Sequence, residues 1–60
     1  MMFIGCDSDE NDFLCLDTEE DMLYVEISDG GEVSGISIKS LAKIEMLIDC
    51  LEKAKKELSR

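Results

Sequence analysis

Sixty residues with fifteen acids, six bases and no histidine make one small domain of net charge −9. That inventory excludes a Cys/His zinc centre and a histidine-based nucleophile, and like-charge repulsion disfavours the usual basic route to nucleic acid. An apolar content of 45% speaks against disorder, and no stretch approaches the ~20 apolar residues of a membrane span.

A chain of this size buries only about 60% of its unfolded surface, so small domains commonly recruit disulfides, a metal or a second subunit. Cys6, Cys15 and Cys50 are an odd number with no C-x-x-C spacing, which leaves self-association as the expected supplement. Met1 to Cys6 lacks the basic segment and length of a signal peptide, so a reduced, cytoplasmic setting is expected.

Short apolar runs recur about every ten residues, separated by turn chemistry, which predicts an antiparallel meander of three or four strands. The first covers roughly residues 2–6. Asp7-Ser8-Asp9-Glu10-Asn11-Asp12 then opens like a calcium-binding EF-hand loop, but Asp12 stands where that loop needs glycine and Thr18 where it needs its bidentate glutamate. A solvated acidic hairpin loop is the expectation, with no metal and no cofactor. Phe13-Leu14-Cys15-Leu16 is apolar on both faces, as in a strand covered on both sides. After the polar Asp17-Thr18-Glu19, Leu23, Val25 and Ile27 alternate with Met22, Tyr24 and Glu26 across a third strand. Asp29-Gly30-Gly31 predicts a tight hairpin, because glycine supplies the positive φ it demands. In the fourth strand the parity changes between Val33 and Ile36, and Gly35 predicts a bulge.

Ser40 is the predicted N-cap of a helix running to about Leu58. Leu41, Ile44, Leu47, Ile48, Leu51, Ala54 and Leu58 form one stripe at helical spacing, expected on the inner face of the sheet. Cys15 and Cys50 are read as half-buried packing residues. Asp49–Lys53 and Glu52–Lys56 are acid-first i,i+4 pairs. Ala42, Met46 and Cys50 make a second small ridge. A homodimer is expected through that ridge or through Phe13, Cys15 and Tyr24 on the outer sheet face.

Charge is sorted along the chain: residues 1–38 carry eleven acids and no base, residues 39–60 six bases and four acids. Self-repulsion makes such sorting a cost that a positively charged partner would justify. Carboxylates on one strand face recur about 6.8 Å apart, a spacing comparable to duplex phosphates. The candidate contacts with a basic host protein are Asp7, Asp9, Glu10, Asp12, Asp17, Glu19, Glu20 and Asp21. Carboxylates in turns, thiols without a histidine base and glycines confined to a hairpin supply no catalytic constellation, so no enzyme is expected.

In length, acidity, absence of catalytic motifs and sheet-plus-helix layout, the chain resembles the small acidic proteins that bacteriophages make to inhibit host enzymes. The resemblance is one of overall character across all 60 residues; no motif carries it, and it assigns no residue a role. It implies a non-enzymatic inhibitor of a DNA- or RNA-acting or anti-phage defence enzyme, working by charge mimicry in the host cytoplasm. The alternative reading is a structural or regulatory subunit that docks a partner through an apolar outer face. Salt dependence of binding separates the two.

Overall fold

The computed structural model describes residues 1–60. Strands β1 (Met2–Gly5), β2 (Phe13–Glu19), β3 (Met22–Asp29) and β4 (Glu32–Ile38) form one antiparallel sheet in chain order, and helix α1 (Leu41–Leu58) follows. The fold is thus the α+β meander with a C-terminal helix, built on four strands rather than three. No helix is long and apolar enough to cross a membrane.

Two-residue turns close both long hairpins. Gly30 and Gly31 have φ of +61° and +85°, the paired positive values that a type I′ turn requires. The β2–β3 turn does without glycine: Glu20 itself adopts φ +54°, at a cost of about 1 kcal/mol for a residue bearing a Cβ.

The register sorts the strands into two unlike faces. Leu14 lies opposite Ile4 and Ile27, Leu16 opposite Met2 and Val25, and Val25 opposite Ile36. With Leu23 and Ile38 these make a first face that is almost wholly apolar. Phe3, Phe13, Cys15, Tyr24, Glu26, Ser28, Val33 and Gly35 share the second face.

The second face is partly covered by its own side chains, although Phe3 and Val33 stay exposed. Phe3 stands opposite Cys15 and meets Phe13 edge-on, with ring centroids 5.6 Å apart. Tyr24 lays its ring over Gly35, where any Cβ would collide with it. Beneath these side chains lie Cys15 and Ser28, the two buried residues of the chain. β2 is thus covered on one side only, by this face; the cover on both sides that its apolar run implied is not formed within the single chain. The predicted bulge is not formed: the β3–β4 register runs from Leu23↔Ile38 to Asp29↔Glu32 without a slip. The parity change arises because Val33 belongs to the second face and Ile36 to the first, and the glycine is there to make room for a ring.

The helix starts at its predicted cap but does not dock where the stripe pointed. Ser40 has extended dihedrals and its carbonyl accepts from Ile44 N at 3.1 Å, while its side chain makes no capping bond. No residue of α1 is buried, and Leu41, Leu51 and Leu58 are 72%, 58% and 86% exposed. Lys39 and Ser40 carry the chain off the end of edge strand β4. Only the first helical turn borders the sheet, where Leu41 and Ile44 share a hollow with Leu23 and Ile38. Nor do Asp49–Lys53 and Glu52–Lys56 close to ion-pair distance; the one salt bridge joins the Met1 amino group to Asp17 at 3.5 Å. What the pattern promised as one core is instead two separate exposed apolar surfaces.

Candidate binding surface

The meander gathers the acids at the two ends of the sheet. At one end the β1–β2 loop, residues 6–12, meets the β3–β4 turn. Inside the loop, Cys6 N donates to Asp12 O at 2.9 Å and Asp12 N to Asp9 O at 3.1 Å. Asn11 N donates to Asp9 Oδ1 at 2.9 Å, a local turn of the kind aspartate favours. The decisive contact crosses between loops: Gly30 N donates to Asp12 Oδ1 at 3.0 Å. It ties two turns, 18 residues apart in sequence, into one surface.

That surface carries Asp7, Asp9, Glu10 and Asp12 from the loop, joined by Asp29 and Glu32 from the turn. The Asp9 and Asp12 carboxylates are occupied by backbone donors. Asp7, Glu10, Asp29 and Glu32 have no hydrogen-bond or salt-bridge partner within the chain through their side chains, and all four are exposed. Ile4, Leu14 and Ile27 of the first face floor an open hollow beside this rim.

The remaining candidates lie elsewhere. Glu19, Glu20 and Asp21 ring the β2–β3 turn at the opposite end, with Lys39 beside them. Asp17 sits on the second face opposite Tyr24. Seven residues of β2 set the two ends about 20 Å apart, twice the screening length at 0.1 M salt, so each acts as its own charge centre. The eight carboxylates are not one site. Asp29 and Glu32 complete the denser end, and the signal for them was the hairpin: in a meander, the first and third connections fall together.

The chain matches no protein-family model, and no curated protein or solved structure is found similar to it.

Of the expected dimer contacts, Cys15 is removed by its own chain. It is 6% exposed beneath the second-face aromatics, so it offers no surface to a partner. Phe13 and Tyr24 are half-buried on that same face, committed to Phe3 and Gly35. Ala42, Met46 and Cys50 lie open on the helix, with Met46 at 69% exposure. Cys50 is therefore not the half-buried packing residue expected. No group of three His, Cys, Asp or Glu side chains converges on a point where a metal ion could be held.

Proposed function

We propose that this is a non-enzymatic acidic binding protein that inhibits a host enzyme acting on DNA or RNA, or a host defence enzyme, in the manner of phage-made inhibitors. Its acidic end occupies the groove in which that enzyme holds phosphates. The observation that carries this reading is the cross-loop tie from Asp12 to Gly30, which holds six carboxylates on one surface and leaves four of them unpartnered. Fixing like charges together is unfavourable in the free protein and becomes favourable only against a cationic surface.

The test uses the immobilised protein against purified basic nucleases, repair enzymes and restriction enzymes, with duplex DNA as competitor. Displacement by DNA is expected, together with a loss of at least about a hundredfold in affinity between roughly 50 and 300 mM salt. Neutralising Asp7, Glu10, Asp29 and Glu32 together (Asp→Asn, Glu→Gln) is expected to weaken binding by a similar factor. Binding indifferent to salt and to DNA would instead support the second reading, a subunit that docks a partner through apolar surface. That reading draws on the exposed first face and helix stripe.

A further inference from the structure

We infer that the protein forms a twofold dimer in which the α1 stripe of each copy lies across the first sheet face of the other. The occupant of both uncovered apolar surfaces is a second copy of this chain.

Surface area gives the first reason. A compact monomer of 6.7 kDa exposes about 3,900 Å². This chain exposes 5359 Å². The excess of about 1,400 Å² per copy comes to roughly 2,900 Å² for a pair, within the range of obligate dimer interfaces. The radius of gyration agrees, at 12.9 Å where about 10.4 Å suits 60 compacted residues.

The second reason is fit. Helix α1 has 18 residues and is about 27 Å long, and the eight residues of β3 extend about 26 Å. The stripe can therefore run the length of β3, over the face that carries Leu23, Val25 and Ile27. Leu47, Ile48 and Leu51 would then meet Val25 and Ile36 of the other copy, and Ile36 is 63% exposed in the single chain.

Charge selects among the possible pairings. The sheet-bearing half carries −11 and the helix-bearing half +2, and no lysine or arginine is within 4.0 Å of a carboxylate in the single chain. Helix on sheet sets these halves against each other. Sheet on sheet opposes two strongly anionic halves and leaves both stripes in water; helix on helix leaves both sheet faces bare. Reciprocal exchange alone covers both helix stripes and both first faces, and it closes on itself as a twofold contact must. It also uses the face opposite to Phe13 and Tyr24. The acidic loops flank this contact at the strand ends and act on the helix lysines from there; mass and NOEs do not read partner binding, so this inference stands or falls separately from the proposed function.

Sedimentation equilibrium of the full chain, at roughly micromolar to 100 micromolar concentration, is expected to give twice 6.7 kDa. An equimolar mixture of isotope-labelled and unlabelled protein is expected to show intermolecular NOEs from Leu47 and Leu51 methyls to Val25 and Ile36 methyls. Leu51→Glu is expected to raise the dimer dissociation constant at least about a hundredfold. A monomer throughout that range overturns the inference. So does a dimer whose intermolecular NOEs join sheet to sheet or helix to helix, or one in which these helix–sheet contacts are all intramolecular. The mass and NOE measurements need no variant, so a Leu51→Glu chain that fails to fold leaves both tests in force.

Discussion

Gly35→Ala probes the packing of the second face. An added Cβ would lie 2.8 Å from Tyr24 Cζ and 3.2 Å from Cε1, and nearer still to the phenolic oxygen, against an ordinary carbon separation of about 3.5–4.0 Å. The ring must swing off the strand. If it re-exposes about 80 Å² of apolar surface, that costs about 2 kcal/mol. Replacing a strand glycine returns about 0.5–1 kcal/mol of backbone entropy. The net expectation is a loss of about 1 kcal/mol, or a fall of about 4–8 °C in Tm for a domain this small. The sign should reverse once the ring is gone: in a Tyr24→Ala background, Gly35→Ala should stabilise by about 0.5–1 kcal/mol. Urea unfolding of the four proteins, followed by circular dichroism at one fixed concentration, closes the cycle with a coupling of about 2 kcal/mol. Equal effects of Gly35→Ala in both backgrounds, or stabilisation in the wild type, would refute the ring-over-glycine account.

Other perturbations test other joints. Glu20→Asn should stabilise by about 0.5–1 kcal/mol in the same urea assay, since asparagine tolerates the φ of +54° held at the β2–β3 turn. Asp12→Ala should cost about 1 kcal/mol and speed hydrogen exchange at the Gly30 amide, while Asp12→Asn, which keeps an acceptor oxygen, should cost less than half of that. Gly30→Ala and Gly31→Ala should each cost about 1 kcal/mol through backbone conformation alone, because nothing lies within 4 Å of either added Cβ. Timed alkylation with mass spectrometry should modify exposed Cys6 at least tenfold faster than Cys15, whose reaction waits on opening of the sheet.

The strands and the helix were legible because their signals are local. Alternation at Leu23, Val25 and Ile27, glycines at 30 and 31, and 3.6-residue spacing from Leu41 to Leu58 each report a backbone preference that short-range sterics enforce. The use of Gly35 was not legible, because its cause is the ring of Tyr24 on the neighbouring strand; a bulge and an overlying aromatic leave the same mark in sequence. The helix stripe announced an apolar face on α1 but not that the helix would leave its own sheet bare, since spacing along one element does not encode the path the chain takes through Lys39 and Ser40. For the acidic end, topology placed the first and third connections together. The specific bond from Asp12 to Gly30 depends on side-chain geometry that spacing does not encode.

The Asp12–Gly30 bond also bears on how quickly a partner could be captured. A loop that must be ordered on contact spends conformational entropy at every encounter, whereas one anchored during folding arrives already shaped. Capture at this end would then be limited by diffusion and long-range attraction rather than by rearrangement, so the association rate should fall with ionic strength while the dissociation rate stays nearly constant.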